Sequence, residues 1–438
     1  MKRSHWRNAS ILLSAAALSL TACSGAGTTE VMSSSGGAAS KAADEPVEMV
    51  FAQLTGNFSE ESFMQLYGNK IKAKFPNMTI KYVVLKNEQH LKELLSIKQP
   101  FDIVIGSVGT TPSYLLASEL ETDISDQIKL QKYDLNRLEP TSVEIQRQMA
   151  NGGIYGLPIS TSSAALYYNK DIFDRFGIPY PKDGMKWDEL YDLAKRMTRN
   201  EDGVQYKGLT MSFNHMMLMN QSGAVSIDPK TNKANFTSDT FRQAFENLAR
   251  FYQIPGNGVP NNKYALASQT DSFYKSKTSA MVMTTSGSGS SLFKDAVNWD
   301  VVQIPFLPDK PGVGPQSYPG YMYMTKLTRN REMAFRVLAY ATSDEWQLDS
   351  IKTGNGPILR DPSIMKQFGT DVPVLQGKNI RSLYPQTFAA PTPKGKYQNI
   401  ADVEMLSALN DVLSGMDVNT ALKQAAERVN KKIEEQGS

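Results

Sequence analysis

Between Val47 and Ile105 the apolar positions alternate between two spacings. Val47–Gln53 is a short β-rich run. Behind Ser59, which can cap a helix, Phe63, Leu66, Tyr67, Ile71 and Phe75 recur at helical spacing until Pro76 ends the pattern. Thr79–Leu85 is again β-rich, Glu88–Ile97 sets Leu91, Leu94 and Leu95 on one side of a helix, and Phe101–Ile105 has the character of a short buried strand. The order βαβαβ predicts an α/β fold with a parallel sheet and right-handed crossovers. Such sheets bind ligands in loops beyond the carboxyl ends of their strands. Those loops are Leu54–Phe58 and Gly106–Thr111, both rich in Gly, Ser, Thr and Asn, and Thr111 before Pro112 reads as a helix cap. Turn formation and ligand contact both remain open for these residues.

The two ends of the chain carry patterns of their own. Leu422, Ala425, Ala426, Val429 and Ile433 form a helical apolar stripe, with Lys431 and Lys432 near the terminus, where cations suit the helix dipole. The stripe predicts core packing. At the start, Lys2, Arg3 and Arg7 precede an apolar run from Ile11 to Leu20 and then small residues, the layout of an export signal. The run falls short of the about 20 apolar residues a membrane span needs. Leu20, Thr21, Ala22 and Cys23 resemble a bacterial lipobox. That resemblance implies cleavage after residue 22, acylation of Cys23, and a lipid anchor on the outer side of a bacterial cell membrane. Residues 23–45, mostly Ser, Gly, Ala and Thr, then read as a tether reaching about 25 Å on average.

Composition narrows the class of function. Three of the 47 Lys and Arg lie in residues 1–22 with no acid, so the remainder carries 44 cations against 44 Asp and Glu. No basic stripe interleaved with aromatics points to nucleic acid. Cys23 is the single cysteine, so there is no internal disulfide, and the chain beyond it is long enough for two domains. Only His90 and His215 remain past the signal, and no Gly-x-Ser-x-Gly elbow occurs, which argues against catalytic triads, metal sites and cofactors. A two-carboxylate glycosidase is not excluded by motif. The glycine-rich Ser286–Ser291 loop lacks the Lys and Ser or Thr of a P-loop. Met216, Met217 and Met219 around Leu218 read as a buried helix rather than a soft-metal site.

One stretch carries a family likeness. Tyr155-Gly156-Leu157-Pro158 is followed by Leu166-Tyr167-Tyr168-Asn169-Lys170-Asp171-Ile172-Phe173, then Phe176-Gly177-Ile178-Pro179 and Trp187-Asp188-Glu189-Leu190. In order and spacing this resembles the signature of family 1 extracellular solute-binding proteins, the maltose-binding-protein-like receptors of ABC importers. Phe273–Met281 and Trp299–Pro305 resemble later elements of that family, with Ser276 where glycine is usual, so the likeness spans residues 46–438. It implies a periplasmic-binding-protein-like α/β fold of two discontinuous lobes with a ligand cleft between them. Residues 46–162 and 305–343 would form the first lobe, and 163–304 and 344–438 the second. It further implies a monomeric receptor that captures a sugar or oligosaccharide and passes it to membrane permease subunits, with a separate ATPase supplying energy. A peptide or other small polar solute, or a scaffold that has lost its ligand, stays open.

A sugar wants hydrogen-bonding side chains and aromatic faces. Gln53, Thr55, Asn57, Ser107 and Thr110 are the candidates from the first lobe. Ser160 and Thr161 lie at the first crossover, and Asn214, Thr285 and Ser286 come from the second lobe. Gly106, Ser162 and the Thr284–Gly289 loop stand where relatives often carry aromatic or acidic residues, so Tyr318, Tyr321 and Phe213 are the aromatics available instead, each of them also a natural core residue.

Overall fold

The computed structural model describes residues 46–259, 264, 266–286 and 297–437; the export signal, Cys23, the tether and most of the glycine-rich loop lie outside the described residues. Among the described residues, ten strands form two five-stranded sheets. The first has the order β2-β1-β3-β10-β4, from β1 (Val47–Gln53), β2 (Met78–Val83), β3 (Ile103–Ser107), β4 (Gly156–Ser160) and β10 (Gly320–Met324). The second has the order β6-β7-β8-β5-β9, from β5 (Ala164–Asn169), β6 (Arg199–Glu201), β7 (Val204–Met211), β8 (Ser279–Thr285) and β9 (Trp299–Gln303).

The opening βαβαβ unit folds as its spacing predicts. β1 pairs in parallel with β2 and β3, and Ser59 caps the first helix by accepting from Ser62 N at 3.1 Å. Two details differ. That helix widens into a π turn over Met64–Gly68, and Thr111 is not a cap. Thr111 already has helical angles (φ −54°, ψ −46°), and its hydroxyl donates to Ser107 O at 2.8 Å. The capping contact comes from Ser107, whose Oγ accepts from Thr110 N at 3.3 Å.

β10 enters antiparallel between β3 and β4, so a strand from late in the chain completes the first sheet. Side chains alternate between two cores across it. Phe51, Ile105 and Met322 pack on one face, and Ala52, Val104 and Tyr321 on the other. A sheet covered on both faces needs strands with no polar side, which is what these residues supply. In the second sheet Leu166 and Met281 face one core while Tyr167 and Val282 face the other. The C-terminal stripe packs as predicted, with Leu422, Ala425, Ala426 and Val429 buried.

The chain therefore makes two α/β lobes, each discontinuous in sequence. The connecting segments are held to one lobe or the other by their contacts. Residues 305–313 stay with the second lobe, because Gln221 Nε2 donates to Pro305 O at 3.0 Å and Val313 O at 3.1 Å. The Asp344–Lys352 helix stays with the first, through ion pairs Lys74–Glu345 at 2.8 Å, Lys70–Asp349 and Arg137–Asp344. The order of elements marks where a strand belongs; side-chain contacts decide where its connections pack.

Candidate functional site

The cleft edge of the first sheet is built by register. β3 ends at Ser107 and β4 at Ser160, and both pair with Gly320, the first residue of β10. Leu54 N donates to Ile105 O at 2.6 Å, which sets the end of β1, with Gln53, beside them. In the second sheet the carboxyl ends of β8 and β9 flank the start of β5, with Ala164 opposite Thr285 and Ala165 opposite Gln303. The crossovers join these two edges. Ser162 and Tyr318 exchange backbone hydrogen bonds at 3.0 and 2.9 Å, and Thr161 bridges to Gly356. The strand ends of both lobes thus converge on residues 160–164, 316–320 and 356.

Tyr318 sits at that convergence. Its hydroxyl lies 3.2 Å from Ser107 Oγ, and its ring stands 5.5 Å from the His215 ring at 50°. Gly109 permits this approach, since a Cβ there would collide with the phenol. Ser107 and Thr110 are tied to each other, with Ser107 N donating to Thr110 Oγ1 at 3.0 Å. On the facing side the short helix Phe213–Leu218 brings Asn214 and His215. His215 Nδ1 is 2.8 Å from Ser212 Oγ, and burial holds the imidazole below its usual pKa, so it is neutral at pH 7. Gln53 Oε1 and Asn214 Oδ1 are buried acceptors without a hydrogen-bond partner among the described residues. Unpaired buried acceptors are costly, so each wants a donor that the described protein does not supply.

Other sequence candidates take different places. Tyr321 is fully buried and donates to Ser142 O at 2.7 Å, and Phe213 is fully buried against Phe245, so both aromatics are core residues. Tyr321 packs in one apolar cluster with Leu54, Val104 and Val108, and that core claims the ring. Ser286 is buried and accepts from Ser163 N at 2.9 Å, which ties it to the start of β5. Thr161 is buried at the first crossover and Thr285 at the end of β8. Asn57 is exposed with a left-handed φ of 59°, which suits a turn residue. Thr55 and Ser160 are half-buried at their strand ends.

Sequence reasoning missed a polar group beside Tyr318. The Gln398–Leu413 helix touches both the Phe213–Leu218 helix and the Pro112–Leu116 turn of the first lobe. On it Asp402 accepts from Gln398 Nε2 at 2.7 Å. Burial pushes the Asp402 carboxyl up to about 6, with nearby Lys394 pulling it the other way. Lys394 is buried and donates to Thr392 O at 2.8 Å and Gln316 Oε1 at 3.2 Å; burial lowers it to about 7. The one sequence signal for the carboxylate was the i, i+4 spacing of Gln398 and Asp402, which reads as an ordinary helix pair.

Comparison with known proteins fits this geometry. A family model described as bacterial extracellular solute-binding protein matches residues 55–348. The chain is 24% identical over 287 residues to a binding protein of Brucella abortus, covering 63% of this chain and 67% of that one. It is 22% identical over 344 residues to the galactooligosaccharide-binding protein of Bacillus subtilis, covering 74% and 77%. Among solved structures, an ABC substrate-binding protein of Listeria monocytogenes in complex with cycloalternan superposes with a TM-score of 0.72 at 18% identity, covering 89% of this chain and 99% of that one.

Proposed function

Because this chain belongs to the bacterial extracellular solute-binding protein family, we propose that it is the substrate-binding lipoprotein of an ABC importer. It captures a neutral sugar or oligosaccharide between its lobes and delivers it to a membrane permease. The observation that carries the reading is the contact of Tyr318 with both lobes, through Ser107 at the end of β3 and His215 on the facing helix, with Gln53 Oε1 and Asn214 Oδ1 awaiting donors. Sugar hydroxyls are such donors, and the Tyr318 ring offers a face for their C–H surface. The strand-end candidates are uncharged, and Lys394 Nζ is buried and already donates to Thr392 and Gln316, which favours a neutral solute over an anion.

A ligand shifts the lobes toward closure only if it binds the closed state better, which requires contact with both lobes. Gln53, Ser107 and Thr110 from one side, and Asn214 and His215 from the other, are the residues for that bridge. Anchoring through Cys23 and the 23–45 tether would keep a monomeric receptor near its permease while leaving the lobes free to move.

The test is a thermal-shift screen of residues 24–438 against mono- and oligosaccharides, with peptides for comparison. A ligand at 100 times its Kd stabilises by about 2.7 kcal/mol, a shift of several degrees. A shift from one sugar class supports the reading. A shift from peptides alone overturns the sugar assignment.

A further inference from the structure

Beside the candidate cleft, the second lobe holds a cavity of about 380 Å³, in the size range of small-molecule sites. Its floor is apolar, with Trp187, Met216, Leu248, Ile304 and Leu307 among the lining residues. One wall is the Asp239–Tyr252 helix, where Thr240, Gln243, Ala244, Asn247 and Leu248 fall on one face by helical spacing. The side-chain amides of Gln243 and Asn247 line the cavity and make no hydrogen bond among the described residues. Asn220, Gln221 and Lys310 of the lining are already occupied. Gln221 receives the Trp187 indole N–H at 3.2 Å and donates to Pro305 and Val313, and Asn220 Oδ1 accepts from Ser222, Gly223 and Ala224. Lys310 Nζ donates to Gln221 O at 3.2 Å and Ser222 O at 3.3 Å beside exposed Asp309, so the rim carries no net charge.

The cavity shares its walls with the cleft. The Phe213–Leu218 helix supplies Asn214 and His215 to one, while Met216 and, just past its end, Met219 line the other. Segment 304–315 lines the cavity and runs directly into Gln316 and Tyr318. The cavity and the cleft thus share the helix that carries His215 and the segment that leads to Tyr318.

We propose that this cavity is an effector site for a neutral amphipathic small molecule, a flat apolar body with an amide or hydroxyl edge for Gln243 and Asn247, and that its occupancy alters cleft affinity. The apolar floor selects the body, the two free amides select the edge, and the balanced rim gives a net charge no partner. The effect on affinity rests on the solute-receptor reading; occupancy of the cavity does not.

Benzamide has the required shape and serves as the probe, titrated into residues 24–438 and followed by the indole N–H resonance of Trp187, assigned by its loss in Trp187→Phe, and by the ring signals of His215. Saturable shifts of both are expected, and both vanish in Ala244→Phe, which fills the cavity. The double variant Gln243→Ala, Asn247→Ala alters only half-buried and exposed side chains and is expected to weaken benzamide binding at least tenfold. Affinity for the sugar found by thermal shift is expected to change about fivefold or more when benzamide is bound. No saturable shift at Trp187, or a shift that survives both the filling and the double variant, overturns the site. Binding at Trp187 with His215 and sugar affinity unmoved overturns the coupling. Failure of every sugar to bind would sink the receptor reading while leaving the Trp187 and His215 signals to decide the cavity.

Discussion

Tyr318 and Ser107 are 211 positions apart in the chain, yet the phenol oxygen lies 3.2 Å from the serine Oγ. The contact fastens the second crossover to the end of β3, and it holds the tyrosine ring where it also meets His215 of the other lobe. Hydroxyl and ring thus have separable roles.

Tyr318→Phe should cost about 1 kcal/mol of stability through loss of the Ser107 bond and keep the apolar face. Tyr318→Ala removes the face, and sugar affinity should fall about tenfold or more. Calorimetric titration separates the two; wild-type affinity in the alanine variant would remove Tyr318 from the site.

Asp402 predicts a pH dependence with a definite sign. Its folded pKa, about 6, lies above the usual 3.8 because burial disfavours the charge. Between these values the folded state holds a proton that the unfolded state has lost. The stabilising contribution is complete below pH 3.8 and is lost as pH rises through 6. Asp402→Asn should remove that decline, so the melting-temperature difference between wild type and variant changes between pH 4 and 6 and is flat from 7 to 8.

Lys394 behaves in the opposite sense. Burial lowers it from 10.5 to about 7, so between these values the unfolded state carries the extra proton and stability rises with pH. The contribution is complete above 10.5 and is lost as pH falls through 7. In Lys394→Met this slope should disappear from denaturant-unfolding curves taken between pH 7 and 10; persistence of the full wild-type slope would place its origin elsewhere.

Gly356 lies where the segment after the Asp344–Lys352 helix meets the first crossover at Thr161. A Cβ there would run into Thr161 O and the Tyr384 side chain, and the backbone bond from Thr161 N to Gly356 O, 3.1 Å, would have to yield. Gly356→Ala should destabilise by about 1–3 kcal/mol, read as a drop of a few degrees by scanning calorimetry. An unchanged midpoint would mean that the crossovers shift freely.

Cys23→Ala should release the protein from membranes and abolish incorporation of labelled palmitate, with sugar affinity of the soluble chain unchanged. Retention in the membrane fraction would refute the lipid anchor.

Local spacing was enough for the first βαβαβ unit, the buried C-terminal stripe and the core role of the methionines around Leu218, because alternation and helical period are set by neighbours a few residues apart. It also led to Ser107, Thr110 and Asn214 as strand-end polar residues. The same logic offered Tyr321 as a cleft residue and left Phe213 open between cleft and core, while both are buried in cores, since whether an aromatic enters a core or a cleft depends on which face of a strand or helix the rest of the molecule covers. No local pattern brings β10 between β3 and β4, holds residues 305–313 to the second lobe, or gathers Tyr318, His215, Asp402 and Lys394 around the crossovers. Those neighbours come from segments far apart in the chain, and only long-range packing and the pairing of buried polar groups put them in one place.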